Sequence, residues 1–382
     1  MWLGNSMKVE NVRTSFFIGK RILVTGACGT VGSELIRQLL TSPSHNPIEV
    51  IGLDNGESEL FFLDQNYLTD PRAKFFVADV RQHIGLAEYF KGVDIVFHCA
   101  ALKHVILCER SPEQAIQTNI EGVQNVIAAS RDAGVGVTIF TSSDKAVNPT
   151  NVMGTSKLMG ERLMTAANSS QRDTTNIFAS TRFGNVLGSS GSVIPIFHNQ
   201  IAKGGPITLT HNEMTRFVMS IKDAVELVLD SAQKARGGEV FITKMPVVRI
   251  VDLARAMIAE LAPKYGYEAD AIKIIEIGTK PGEKLYEELM SEEETRRALE
   301  LEKYFTVLPA FRGIYKEIDY NYNSQISDTV NNPYNSSKEP ALDIVAIRKL
   351  LNSIDLLSEQ GNDADLRYWP GDKESFRDNG SD

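Results

Sequence analysis

The chain has 382 residues, enough to bury a sizeable core without disulfide or metal staples and to carry one large domain or a core with a second lobe. Its composition, 42% hydrophobic and 23% charged, is that of an ordinary globular protein. A net charge of −9 argues against a general nucleic-acid or membrane-surface role, while leaving room for an anionic ligand held by a few local groups. Residues 1–19 carry Glu10 and Arg13 and no sustained apolar run, so they read as an N-terminal extension and not a signal peptide. Buried strands are expected at Arg21–Thr25, Glu49–Leu53, Lys74–Ala78, Asp94–His98, Val137–Thr141 and Ile177–Arg182, with helix-like segments between them. The clearest helix is Pro112–Ala133, with Ile116, Ile120, Val123 and Ile127 on one stripe. Ser111 is its expected N-cap, Gln114 completes a capping box, and Gly134 ends it. Strand–helix alternation with continuous apolar strands predicts an α/β fold, a doubly wound parallel sheet over residues 20–183.

Beyond Arg182 the rhythm changes. A helix at Asp223–Ala232 and a strand at Gly238–Thr243 place residues 218–243 back in the sheet. Residues 184–217 and 244–318 are expected to form a smaller C-terminal lobe, with Gly278–Glu288 a glycine-bearing loop that leads into a helix. Asp319–Lys338 reads as a polar mobile connector, Ala341–Leu357 as a last helix and Asp363–Asp382 as a flexible tail. The three cysteines, Cys28, Cys99 and Cys108, form no CxxC pair, which points to a reducing, cytoplasmic setting. The six histidines show no ligand spacing, so no metal is expected. No stretch approaches the roughly 20 apolar residues of a membrane span.

Gly26, Gly29 and Gly32 follow the first strand and open a helix with Thr30 and Val31. That context suits a dinucleotide: glycines allow a tight turn and a close backbone approach, and the helix start offers free N–H groups to the pyrophosphate. Asp54 ends the second strand, where a carboxylate accepts hydrogen bonds from both ribose hydroxyls and repels a 2′-phosphate. With no Arg or Lys in Asn55–Glu59, NAD is expected over NADP; Asp54 also reads as the first residue of a turn. Asp79 and Val80 end the third strand, facing adenine or capping a loop.

Together with this loop, His98-Cys99-Ala100-Ala101, Asn119 and Thr141-Ser142-Ser143 resemble the extended short-chain dehydrogenase/reductase superfamily, a Rossmann-type fold. Its usual Tyr-xxx-Lys pair is altered: Lys157 is present, but Met153 stands where the tyrosine belongs and cannot exchange a proton. The run from Ser143-Asp144-Lys145 to Met153, with Leu102-Lys103-His104, Arg182-Phe183-Gly184-Asn185, Gly191-Ser192-Val193, Met214-Thr215-Arg216-Phe217 and Lys280-Pro281-Gly282-Glu283-Lys284, is similar to nucleotide-sugar 4,6-dehydratases of glycan synthesis. Those act mostly on UDP-N-acetylglucosamine.

The resemblance implies a role for each motif. Lys145 would take the C5 proton, Asp144 would protonate the leaving O6, Ser143 would relay the O4 proton, and Lys157 would hold the nicotinamide ribose. Ala100, Ala101, Lys103 and Asn119 would line the cofactor. Lys103, His104, Asn185, Arg216, Glu283 and Lys284 would face the UDP-sugar. The chemistry demands that Lys145 be neutral and Asp144 protonated, the reverse of a simple ion pair. The Met153 context resembles the retaining branch more than the inverting one, though inverting members with Met also exist, and the superfamily implies a homo-oligomer. A 4-epimerase and a non-catalytic NAD-binding scaffold are the alternatives.

Overall fold

The computed structural model describes residues 16–170, 175–189, 192–279, 282–311, 317–354 and 356–357. Most of the N-terminal extension, the tail from residue 358 onward, Gly191, Lys280 and Pro281 lie outside the described residues. The first half runs β1 (Arg21–Thr25), α1 (Thr30–Thr41), β2 (Glu49–Asp54), α2 (Glu57–Gln65), β3 (Ala73–Val77), α3 (His83–Phe90), β4 (Ile95–His98), α4 (Val105–Arg110), α5 (Pro112–Ile116), α6 (Gly122–Asp132), β5 (Val137–Thr141), α7 (Val152–Ser169) and β6 (Ile177–Arg182). There follow β7 (Asn185–Val186), α8 (Val193–Ala202), β8 (Ile207–Leu209), β9 (Thr215–Met219), α9 (Ile221–Lys234), β10 (Val240–Thr243), β11 (Val247–Arg249) and α10 (Ile250–Leu261). The chain closes with β12 (Ile274–Glu276), β13 (Glu288–Met290), α11 (Glu292–Thr295), β14 (Ala298–Leu301), β15 (Tyr304–Val307), β16 (Gln325–Ser327), β17 (Tyr334–Asn335) and α12 (Ile344–Ser353).

The main sheet has the order β3-β2-β1-β4-β5-β6-β10, all parallel, and continues antiparallel through β15, β14 and β16. The order reverses between β1 and β4, which opens a crevice at the carboxyl ends of those strands. Both faces are covered, so the inner strands are apolar throughout. In β1, Ile22 and Val24 pack with α1 and α9, while Leu23 points the other way, toward α3 and α6. The outer strand β3 departs from the buried strand expected: Phe76 and Val77 are exposed, since β3 has a partner on one side only.

The segment read as one helix from Pro112 is broken by a π-turn at Gln117–Glu121. The wider turn rotates the apolar stripe, so Val123 and Ile127 are buried while Ile116 is exposed. Ser111 makes no side-chain cap, and Gln114 accepts from Arg81 instead of closing a capping box. Gly134, with φ +69°, ends α6 in the left-handed region.

Helices α8, α10 and α12 share a second core through Phe197, Met257 and Leu351, beside the parallel pair β8–β12 and the small sheet β11-β9-β7. Two expectations change here. Of the residues 244–318 assigned to the lobe, β14 and β15 instead extend the main sheet, and Gly278–Glu288 leads into β13, not a helix. Residues 319–338 are not a mobile connector. β16 and β17 pair with β14 and β13, and two buried tyrosines pin the segment. The Tyr322 hydroxyl donates to Glu239 (2.8 Å) and that of Tyr334 to the Met245 carbonyl (3.0 Å). A tyrosine fills apolar space while its hydroxyl reaches a buried acceptor, which composition alone does not reveal.

At the end of β6, Arg182 is 1% exposed and each of its N–H groups has an acceptor. It pairs with Glu161 of α7 (2.7 and 2.6 Å), with Glu294 of α11 (2.9 and 2.8 Å) and with the Leu289 carbonyl of β13 (3.1 Å). Burial works to raise the Glu294 carboxyl, but the Arg182 charge and hydrogen bonds outweigh it and hold the group down to about 2, from 4.5. Its native carboxyl thus binds protons less readily than the unfolded one. The stabilisation is complete above pH 4.5 and disappears as pH falls through about 2. Glu294→Gln is expected to lose about 3 kcal/mol near neutral pH, the scale for breaking a buried pair. In urea unfolding the gap from the parent should narrow as pH drops below 4.5; a gap independent of pH would remove the charge from this account.

Candidate active site

The glycine loop is shaped by two close approaches. Gly26 has φ +69°, and a Cβ there would lie 2.6 Å from the Ala100 nitrogen. At Gly32 a Cβ would lie 2.1 Å from the Gly26 carbonyl oxygen. Gly29 sits at the N-cap of α1 with neither a side-chain cap nor an acidic residue in the first turn, so the Thr30 and Val31 end of the helix keeps its positive field. Asp54 accepts from the backbone N–H groups of Cys28 (2.9 Å) and Gly56 (3.0 Å). Asp54 thus forms the turn, and its remaining lone pairs stay at the carboxyl edge of β2.

Other expected cofactor residues have different partners. Asp79 is held by Arg81, whose side-chain hydrogen bonds chiefly depress the Asp79 carboxyl, and it accepts from the Arg81 backbone N–H (2.9 Å). The loop cap is thus the geometry observed. The Val80 side chain is buried against α6. Asn119 lies in the π-turn and is fully engaged: it donates to the Leu102 carbonyl (3.0 Å) and Ser156 (2.9 Å) and accepts from the Leu102 N–H (2.8 Å). It fixes the loop that carries Ala100, Ala101 and Lys103.

Behind this loop lies a buried polar patch. Lys157 donates to the Thr141 carbonyl (2.9 Å) and lies 4.7 Å from the Phe140 ring centroid. Burial pulls its ammonium down to about 8, with charges on Cys99 and Glu161 opposing. His98, paired with the Thr25 hydroxyl (2.7 Å), is held neutral by burial, at about 3. Burial likewise pushes the Cys99 thiol up to about 12. His98 Nε2 and Ser142 Oγ are buried without partners, at the ends of adjacent strands. Such orphan polar atoms at the carboxyl edge of the sheet fit a polar ligand such as a nicotinamide ribose.

Ser143 caps a single 3-10 turn, Asp144–Ala146, directly after β5. The Ser143 hydroxyl donates to Asp144 Oδ1 (2.6 Å), and Lys145 Nζ reaches Asp144 (3.1 Å) and Glu287 (3.2 Å). Met153, one helical turn before Lys157, is 3% exposed and packs on Cys108 and Ala115. Glu287 was missed by sequence reasoning, which took Glu283 and Lys284 from the same segment. Its only signal was an acidic residue near a glycine-bearing loop.

The remaining expected substrate residues divide. Asp144, Lys145, His104, Asn185, Arg216, Glu283, Lys284 and Glu287 all line one cavity of about 720 Å³, whose wall also carries the apolar Leu187, Phe197, Leu209 and Leu253. Asn185 donates to the Phe217 carbonyl (3.2 Å), and His104 is the N-cap of α4. Arg216 is engaged within the protein. It pairs with Glu287 (3.1 Å) and donates to the carbonyls of Thr215 (2.8 Å), Leu285 (3.3 Å) and Lys284 (2.9 Å). Lys284 Nζ donates to the Val147 carbonyl (2.9 Å), and Glu288 accepts from Asn148 (3.0 Å). The segment 282–288 thus clamps the Asp144–Lys145 turn, because buried cations take the nearest backbone acceptors.

Residues 22–309 match the family described as polysaccharide biosynthesis protein. The chain is 46% identical to an uncharacterised membrane protein of Methanocaldococcus jannaschii, over 90% of this chain and 98% of that one. It is 35% identical to an inverting UDP-N-acetylglucosamine 4,6-dehydratase of Campylobacter jejuni (86% and 98%) and 36% identical to a UDP-glucose 4-epimerase of Rickettsia akari (90% and 98%). The crystal structure of Pen from Bacillus thuringiensis superposes with a TM-score of 0.82 at 37% identity, covering 90% of this chain and 100% of that one. Among the described residues no helix is long and apolar enough to cross a membrane. With a Rossmann sheet and a glycine loop between its first strand and helix, the chain belongs to the polysaccharide biosynthesis protein family, a branch of the extended short-chain dehydrogenase/reductases that includes nucleotide-sugar dehydratases and epimerases.

Proposed function

We propose that the protein is an NAD-dependent 4,6-dehydratase of UDP-N-acetylglucosamine. The observation that carries this reading is the Asp144–Lys145 pair on the cavity wall, beside a buried methionine in place of a tyrosine. Bound NAD would supply the hydride acceptor at C4 and the hydride donor at C6. The loop at Gly26, Gly29 and Gly32, with Asp54, would hold its pyrophosphate and ribose, and Lys157 would take the nicotinamide ribose. The buried Lys157 ammonium favours oxidation by opposing positive charge near the nicotinamide ring. The N-terminal end of α8, where Ser192 Oγ lies without a partner, and Asn185 suit the sugar diphosphate.

Chemistry at C5 follows from one hydrogen bond. As found, Asp144 and Lys145 form an ion pair, the state with the wrong protonation for elimination. Moving the proton along that 3.1 Å bond gives a neutral amine and a carboxylic acid. Substrate that excludes water favours this neutral form, because a low dielectric penalises separated charge. The amine then takes the C5 proton made acidic by the C4 ketone, the acid protonates O6, and water leaves. The ion pair is restored. Ser143, 2.6 Å from Asp144, is placed to pass on the O4 proton that the missing tyrosine would take; that proton would leave to solvent, and one would be taken back to restore the ion pair after Lys145 returns a proton to C5.

Lys145 on one wall favours return of the proton to the same face, hence retention at C5. Inversion is the second reading, supported by the name of the Campylobacter relative. A 4-epimerase, named among relatives of equal similarity, would need no Asp144–Lys145 pair.

Incubation with UDP-N-acetylglucosamine in deuterated water is expected to give a product lighter by one water, with deuterium at C5 and the retained configuration by NMR; unchanged mass would establish epimerisation. Cofactor released by denaturation should be NAD, and NADP would refute the reading of Asp54. Met153→Leu should keep much of the activity, since an apolar swap of similar volume costs under about 1.5 kcal/mol. Ser143→Ala should slow single-turnover oxidation by about 100-fold, the scale of a lost proton relay. The reverse ranking would discard the relay.

A further inference from the structure

We propose that Glu287 is a positioning residue for C5 deprotonation, holding Lys145 at its working position while Asp144 is occupied with the leaving oxygen. The proposal rests on the dehydratase reading above.

Glu287 is 6% exposed and lines the substrate cavity. One of its carboxylate oxygens, Oε1, accepts from Lys145 Nζ (3.2 Å) and forms an ion pair with Arg216, 3.1 Å from its Nε. Its backbone is fixed on both sides by Ser336: the Glu287 N–H donates to Ser336 Oγ (2.9 Å), and the Ser336 N–H donates to the Glu287 carbonyl (2.9 Å). Arg216 is itself held by three backbone carbonyls. The carboxylate is therefore anchored from behind and presents a fixed acceptor to Lys145. Its second oxygen, Oε2, is buried with no partner. An unpartnered buried carboxylate oxygen costs on the order of 1–3 kcal/mol, so a role confined to packing would be served better by an apolar side chain.

The need for a second carboxylate comes from the reaction itself. Lys145 has two acceptors, Asp144 and Glu287. During elimination Asp144 gives its proton to O6 and turns to the substrate, so it no longer aims the amine. Glu287 then remains the group that fixes Lys145 Nζ. When the amine takes the C5 proton, the new ammonium forms 3.2 Å from a carboxylate that needs no reorganisation. Oxidation at C4 draws on neither effect.

The experiment separates the two steps. Near-ultraviolet absorbance of reduced nicotinamide in a single turnover reads C4 oxidation. Deuterium incorporation at C5, by NMR, reads proton removal. Glu287→Gln should oxidise C4 within about 3-fold of the parent while C5 exchange and dehydration fall by about 100-fold. Glu287→Asp, which keeps the charge but draws it back, should recover about 10-fold of that loss. It also carries the test if the Gln variant does not fold, because its exchange must then fall more than its oxidation. Exchange at the parent rate in Glu287→Gln would overturn the proposal. So would an equal fall in both steps, since a merely structural residue affects them alike. If the parent protein itself releases no water, the dehydratase reading fails and this inference with it. If the parent dehydrates and Glu287→Gln does too, only this inference is lost.

Discussion

The buried guanidinium of Arg182 fixes the geometry on which the site depends. It stands at the carboxyl end of β6 and satisfies every N–H with Glu161, Glu294 and the Leu289 carbonyl. Glu161 lies one helical turn beyond Lys157 on α7, and Leu289 lies two residues beyond Glu287 in β13. One cation thus ties the helix that carries Lys157 to the strand that directly follows Glu287. A charge buried this deeply is tolerated only when fully paired, so the three segments cannot slide independently without stranding it.

A second relay of buried charge runs closer to the cavity, from Arg216 through Glu287 to Lys145 and Asp144. Here the pairing is less complete: Glu287 Oε2 has no partner, and Lys145 is partly exposed at the cavity wall. The Arg182 network has no unpaired group left and serves as a frame, whereas the Lys145 network retains unused hydrogen-bonding capacity.

The two halves of the site come from different kinds of structure. The nucleotide end is built from local chain geometry, a strand, three glycines and a helix start, and needs few neighbours. The acid–base end is assembled across long sequence separations, with the 282–288 segment folded over the turn after β5. Lys284 and Arg216, basic residues of the sort that bind phosphate, are instead turned to backbone carbonyls within the protein.

The parallel sheet, the glycine loop, Asp54 and the Asp144–Lys145 turn were legible in the sequence, because each is set by local periodicity or by contiguous residues whose spacing has a direct physical meaning. The β-strand limits of Arg21–Thr25, Val137–Thr141 and Ile177–Arg182 were read to the residue for that reason. Asn119 and Arg216 stood out as residue types without revealing their partners, since a side chain's hydrogen-bonding choice depends on which carbonyl the fold brings nearest. The π-turn at Gln117–Glu121 escaped because one extra residue in a turn leaves composition and rough periodicity intact. Residues 319–338 looked mobile because polar strands that pair late in the chain derive their order from partners far away, and Tyr322 and Tyr334 are buried only once β10 and the segment after it are in place. Glu287 was the extreme case. Nothing beside it in the chain distinguishes it from its acidic neighbours, and only the tertiary fold sets it between Lys145 and Arg216, where a buried carboxylate finds the cations it needs.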